Sequence, residues 1–300
     1  MKKLVESVPN ISEGRNKDVI DEIVNELKKF ENIKILEVSS DESHNRTVVT
    51  IVGNVDDVVE GLFYFTKKAV ELIDLNKHKG EHPRIGAVDV IPLIPISGIT
   101  KNELNNYVKI LGERIWNELN VPVYFYADSA TNEERKKLPN IRKGEFEGLV
   151  EKMKDPNWHP DIGNPFPHPT AGATVIGVRE FLIAYNINLA TSDVSIAEKI
   201  AKSIRESSGG LMYLQARGFY LEDKNCAQVS MNILNFKKLP LYRVYEIVKM
   251  EAEKYGTYIK ESELVGLIPL KAVLDSFSFY IKLPELNLDK VIEYKIWGEE

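Results

Sequence analysis

The sequence predicts an α+β protein of two related ferredoxin-like subdomains, each a sheet with helices on one face. Three observations carry that prediction. At 300 residues the chain is too long for one small core. Its apolar residues recur with period 3.6 in some stretches and period two in others. The order strand-helix-strand-strand-helix-strand can be read once in each half. With 43% hydrophobic and 28% charged residues, the composition is that of a folded globular protein rather than a disordered one.

In the N-terminal half, strands are expected at Lys3 to Val8, Ile35 to Ser39 and Arg46 to Gly53. A helix at Lys17 to Phe30 would turn Val19, Ile20, Ile23, Val24 and Leu27 inward. Asn54 caps a second helix that runs to about Asp74. Val88 to Ile94 reads as a strand, and Pro92 and Pro95 suggest a sheet edge or an early exit. A helix at about Asn102 to Leu119 and a strand at Pro122 to Ala127 complete this half.

In the C-terminal half, Phe181 to Leu189 is a strand, and Ser192 caps a helix with Val194, Ala197, Ile200, Ala201 and Ile204 in one stripe, ended by Gly209-Gly210. Leu211 to Tyr220 and Cys226 to Leu234 form two strands around the polar turn 222 to 225. Pro240 opens a helix that Gly256 closes, and a strand follows at Thr257 to Leu264. Leu288 to Trp297 alternates like a further strand. Between the halves, Asp155 to Thr170 carries prolines at 156, 160, 165, 167 and 169. That composition makes an extended connector, and Trp158, His159, Phe166 and His168 within it suggest packing against something, including a planar ligand.

A formal net charge of -6 disfavours nucleic acid as a partner. The lone Cys226 forms no internal disulfide, which points to a cytoplasmic setting. Met1-Lys2-Lys3 leads straight into strand-like sequence, so neither a signal peptide nor membrane association is expected.

Two features carry chemistry. Asn186 and Asn188 share one strand face, as do Gln228, Ser230 and Asn232 on another strand. Uncharged amides on a helix-free face suggest a lined cleft or a polar interface between the halves.

The second feature is Lys77-His78-Lys79-Gly80-Glu81-His82-Pro83-Arg84-Ile85-Gly86. Its His-x-x-Glu-His spacing would present zinc ligands on a helix. Gly80 and Pro83 oppose that helix, and no further acidic motif supplies another ligand, so no metal is expected. As a loop, the segment gathers Lys77, Lys79 and Arg84 beside His82, an imidazole able to take and return a proton near neutral pH. His78 reads as a loop histidine with a backbone hydrogen bond. The loop Ser43-His44-Asn45-Arg46 either adds a guanidinium to this site or is an ordinary hairpin turn.

The chain also resembles a known family, the formiminotransferase module that occurs alone or as the front half of formiminotransferase-cyclodeaminase. The resemblance rests on VPNISEGRN at Val8 to Asn16, HNRTV at His44 to Val48, HKGEHPRIGAVDV at His78 to Val90 and GATVIG at Gly172 to Gly177. LIAYNINL at Leu182 to Leu189, KNCAQVSMN at Lys224 to Asn232 and LVGLIPLKAVLD at Leu264 to Asp275 extend it along the chain.

The resemblance implies an N-terminal subdomain at 1–178, a C-terminal one at 179–300, a ligand tunnel between them and a homodimer. It implies that His82 is catalytic and that the folate loop falls on Gly163, Asn164, Pro165, Phe166, Pro167, His168, Pro169, Thr170, Ala171 and Gly172. This loop departs from the Ser-rich, Trp-containing sequence common in the family, and Ser39 stands where animal members tend to be acidic.

The implied reaction passes a formimino group from N-formimino-L-glutamate to tetrahydrofolate, a co-substrate. Arg84, Arg46 and Lys79 are the candidates for the glutamate carboxylates, with Asn45 beside them. One alternative is formyl transfer from 5-formyltetrahydrofolate to glutamate, with Asn10, Asn186 and Asn188 donating to an oxyanion. The other is a folate-binding protein without catalysis.

Overall fold

A computed structural model describes residues 2–297, and the chain divides into two compact units, Met1–Arg179 and Glu180–Glu300. In the first unit, β1 (Leu4–Ser7) and β2 (Asn10–Ile11) form one strand broken at Val8-Pro9. They are followed by α1 (Lys17–Leu27), β3 (Ile33–Asp41), β4 (Arg46–Asn54), α2 (Val55–Leu72) and β5 (Val88–Ser97). Their pairing order, β3 to β4 to β1 and β2 to β5, is antiparallel throughout. This is the ferredoxin-like arrangement.

The rest of the unit is α3 (Lys101–Leu119), β6 (Val123–Phe125), α4 (Leu138–Arg142), α5 (Leu149–Lys152) and β7 (Thr174–Val178). Strand β7 lies parallel between β5 and β6 and extends the sheet. β5 is therefore an interior strand, not the edge that its prolines suggest. Pro92 sits opposite Gly177 and loses only its N–H; its carbonyl accepts from Ser7 Oγ at 2.7 Å.

The apolar stripes do what their spacing requires. Ile20, Ile23, Val24 and Leu27 of α1 and Val58, Leu62 and Phe65 of α2 are buried against Val49 and Ile51. Each such apolar side chain contributes roughly 1.5–3 kcal/mol of burial. A second cluster, including Ile85, Val90, Tyr124, Tyr126, Ile141, Leu149 and Val175, anchors α4 and α5 to the sheet.

The second unit contains β8 (Ile183–Leu189), α6 (Val194–Ile204), β9 (Leu214–Leu221), β10 (Cys226–Ile233), α7 (Leu241–Lys254) and β11 (Ile259–Val265). The antiparallel order β11-β8-β10-β9 gives the ferredoxin-like sheet again. The cap of α6 is Asp193 rather than Ser192, because the Asp193 carboxylate accepts from Ser195 N at 2.9 Å. β9 begins at Leu214, after Tyr213 takes a left-handed φ of 66°.

Beyond β11 come α8 (Leu270–Ile281) and α9 (Ile292–Trp297). The expected terminal strand is thus a turn and a helix: Asn287 Oδ1 accepts from Asp289 N at 3.0 Å, and Lys295 N reaches Val291 O at 3.1 Å. Among the described residues, no helix is long and apolar enough to cross a membrane.

Candidate active site

The site in the first unit starts with the turn joining β3 to β4. Asn45 adopts a left-handed φ of 48° there, and its side chain acts as a brace. Its Oδ1 accepts from Gly14 N at 2.9 Å, and its Nδ2 donates to Lys79 O at 3.1 Å. The histidine segment is irregular and lies against this turn, with Glu81 N donating to Ser43 O at 3.2 Å. A Cβ at Gly80 would stand 2.3 Å from the His44 carbonyl oxygen, so only glycine permits that approach. The helix that zinc presentation would need is absent from this segment.

His82 and Arg46 meet at the centre. Arg46 is the first residue of β4 and alternates away from Val49 and Ile51, which face the helices. Its Nη1 lies 2.6 Å from His82 Nε2. A guanidinium only donates, so Nε2 carries the accepting lone pair and the ring proton sits on Nδ1. Burial pulls the His82 pKa down to about 2, reinforced by Arg46, Arg142, His44 and His78. The imidazole is accordingly neutral.

Arg142, at the end of α4, arrives from far along the chain. It is held by Asp89 through Nε at 2.8 Å and Nη2 at 2.5 Å, while the other oxygen of that carboxylate accepts from Ile85 N at 2.7 Å. Asp89 therefore ties the cation to the strand that follows the histidine segment. Lys152 Nζ donates to the carbonyls of Asn140, Ile141 and Lys143, which fixes the turn bearing Arg142.

Of the other cations expected beside His82, Arg84 and Lys77 are engaged elsewhere. Buried Arg84 donates to Glu147 at 2.6 and 2.8 Å, to Glu145 at 2.8 Å and to His78 Nδ1 at 3.1 Å. Those glutamates raise the Arg84 pKa, with the Glu147 hydrogen bond leading. His78 Nε2 donates in turn to Asn45 O at 2.8 Å, the backbone bond expected for it. Lys77 pairs with Asp74 at 3.3 Å. Lys79 is exposed and lines, with His78, Arg84, Glu145 and Glu147, an open hollow of ≈ 430 Å³.

The proline segment is pinned to both flanks of the histidine segment. Leu75 N donates to Thr170 O at 2.8 Å, Asn76 Nδ2 to Pro169 O at 2.9 Å, Ala87 N to Ala171 O at 2.9 Å and Ala173 N to Ile85 O at 2.9 Å. Gly172 adopts a φ of 67°, and a Cβ there would stand 2.0 Å from Ile85 O. His168 closes the loop: its Nδ1 accepts from Ala171 N at 3.0 Å and Thr170 N at 3.3 Å. Phe166 is 70% exposed at the tip, and Gly163 packs on Trp116. Asn10 is half-buried on β2 and donates to Val8 O at 2.9 Å.

In the second unit the amide face carries charge that its own strands did not announce. Asn188 Nδ2 donates to Glu261 at 2.8 Å and Asn186 Nδ2 to Glu263 at 3.2 Å. Gln228 Nε2 donates to Asn188 Oδ1 at 2.8 Å and to Glu263 at 3.2 Å. All three amides are buried.

Residues 4–179 match the formiminotransferase domain, N-terminal subdomain, and residues 184–295 match the formiminotransferase domain. This chain belongs to the formiminotransferase family. The formiminotransferase chain is 47% identical to a glutamate formimidoyltransferase of Streptococcus pyogenes serotype M1, covering 97% of this chain and 98% of that one. It is 43% identical to the Thermoplasma acidophilum enzyme of the same name, covering 98% and 97%. A formimidoyltransferase-cyclodeaminase of Gallus gallus is 47% identical over 95% of this chain and 54% of its own length. Within this candidate site, Arg142 and Asp89 escape sequence reading because their pairing spans 53 residues.

Proposed function

We propose that this chain is a glutamate formimidoyltransferase, moving the formimino group from N-formimino-L-glutamate to tetrahydrofolate to give 5-formiminotetrahydrofolate and L-glutamate. The observation that carries the chemistry is a neutral, half-buried His82 whose Nε2 holds a lone pair next to an arginine. The attacking folate nitrogen forms a bond to the formimino carbon and gives its proton to His82 Nε2. The carbon–nitrogen bond to glutamate then breaks, and the same proton goes to the departing amine. Proton transfer of this kind contributes ~10²–10⁴-fold, and alignment of two substrates contributes further.

Arg46 is assigned to a glutamate carboxylate and Lys79 to a second anionic group, while Arg84 positions the loop through His78. Tetrahydrofolate is assigned to the loop 163–172, supported by its attachment on both sides of His82. The subdomains are placed at 1–178 and 179–300, and the protein is taken to be a cytoplasmic homodimer serving histidine breakdown. Asn186 and Asn188 already donate to carboxylates, which leaves fewer free donors for the oxyanion of a formyl transfer.

The deciding assay offers both donors separately to the purified chain. Product from N-formimino-L-glutamate and tetrahydrofolate, well above any formyl transfer from 5-formyltetrahydrofolate to glutamate, is expected. The reverse ranking, or folate binding without turnover, overturns the assignment.

A further inference from the structure

Arg46 differs from Arg84 and Arg142. Arg84 has two glutamates and Arg142 has Asp89, whereas among the described residues no carboxylate lies within ion-pair distance of Arg46. Its single hydrogen bond goes to the neutral His82 ring, and its Nε is buried with no partner at all. A guanidinium presents five donors in a planar fork, and leaving buried donors unmade is costly. Burial and the nearby charge of Arg142 further disfavour its cationic form, with Asp89 and Asp41 opposing. An incoming carboxylate satisfies the fork and the charge together, in the bidentate geometry that arginine favours.

The same contact disables the base. His82 has its proton on Nδ1, so Nε2 is its only site for accepting another, and the guanidinium of Arg46 covers that lone pair. We propose that Arg46 is a ligand-released cap on His82: the carboxylate of the amino-acid substrate draws the guanidinium away and thereby frees Nε2 to accept the proton of the attacking nitrogen. This rests on the function proposed above and adds an order to it. The base is exposed only when the anionic substrate is in place, and the carboxylate that releases the cap also offsets the positive charge that disfavours imidazolium. The charged and titratable groups facing the ring are Arg46, Arg142, His44 and His78, with Asp41 and Asp89 acting on Arg46.

The test is a pH titration of the full chain with ¹⁵N-labelled histidine, followed by NMR, without ligand and with saturating L-glutamate; sodium chloride controls for ionic strength. His82 is assigned by its disappearance in His82→Gln, and glutamate binding is measured by calorimetry. Without ligand, His82 is expected to stay neutral with Nδ1 protonated across the whole range in which the protein is folded. With glutamate, the Nε2 resonance is expected to shift and a protonation midpoint to appear within that range. Arg46→Gln is expected to raise the midpoint without ligand and to blunt the response to glutamate; Arg46→Lys, with a single ammonium, serves if the glutamine variant does not fold. Bound glutamate with an unchanged His82 titration overturns the cap while leaving the transferase reading intact. Absence of glutamate binding also overturns it, and if neither donor is turned over, the transferase reading falls with it.

Discussion

Both units fold in the same strand-helix-strand-strand-helix-strand order and both carry polar side chains opposite their helices, but they satisfy them differently. In the second unit, Asn186, Asn188 and Gln228 find Glu261 and Glu263 on the neighbouring edge strand, and Lys224 reaches Glu261 at 3.2 Å. Donor and acceptor are matched, so the network contributes to the fold. In the first unit, the matched groups Arg84 and Arg142 serve as braces, while Arg46 and His82 are left with each other. On the proposed assignment, reactivity sits where the charge balance is incomplete, not where polar residues are most numerous.

Removing individual partners separates the two arrangements. The largest effect on stability is expected for Asp89→Asn, which leaves a nearly buried Arg142 without its counter-charge. Losing one partner of such a pair costs about 3–5 kcal/mol, visible as a lower denaturant midpoint. An unchanged midpoint would mean that Arg142 needs no anchor. Arg46→Gln should weaken the use of the amino-acid substrate by roughly 1.5–3 kcal/mol, the value of hydrogen bonds to charged groups. That loss should appear mainly in kcat/KM for N-formimino-L-glutamate, with little change in KM for tetrahydrofolate; an equal change for both would remove the carboxylate assignment. Asn188→Ala removes the bonds to Gln228 and Glu261, which keep only Glu263 and Lys224 as partners, and is expected to lower stability by about 1–3 kcal/mol in urea unfolding.

A further effect is on pH dependence. His82 and His78 both have pKa values lowered by burial, below the ~6.5 of an unfolded histidine. As pH falls below that value, the unfolded chain binds protons that the folded chain refuses. Their contribution to stability is therefore intact above about pH 6.5 and erodes below it, by at most about 1.4 kcal/mol per pH unit for each ring. Urea midpoints at pH 7.5 and 5.5 should show the decline, and His82→Gln should make it shallower.

Much of the fold is legible because short-range periodicity encodes it: the stripes of α1, α2 and α6 and the alternation of β4, β8 and β10 all fall where the spacing puts them. β7 is harder to read. Thr174–Val178 is buried on both faces in a parallel ladder, so it lacks alternation. The terminal alternation misleads because Leu288 to Trp297 is short, and Asn287 turns it into a helical path. At the candidate site, sequence proximity groups cations that the fold pairs with carboxylates. Lys77 and Arg84 are neighbours of His82 in the chain, yet Asp74, Glu145 and Glu147 take their charge. The arginines that act on His82 come from a hairpin and from α4, a juxtaposition set only by the folded sheet.

The central claim is that His82 carries the proton in transfer. It is tested most directly by single-turnover formimino transfer with wild type and His82→Gln, after both are shown to unfold at comparable denaturant concentrations. A ~10²–10⁴-fold slower transfer step is expected in the variant. Transfer within twofold of wild type in a folded His82→Gln protein would contradict it.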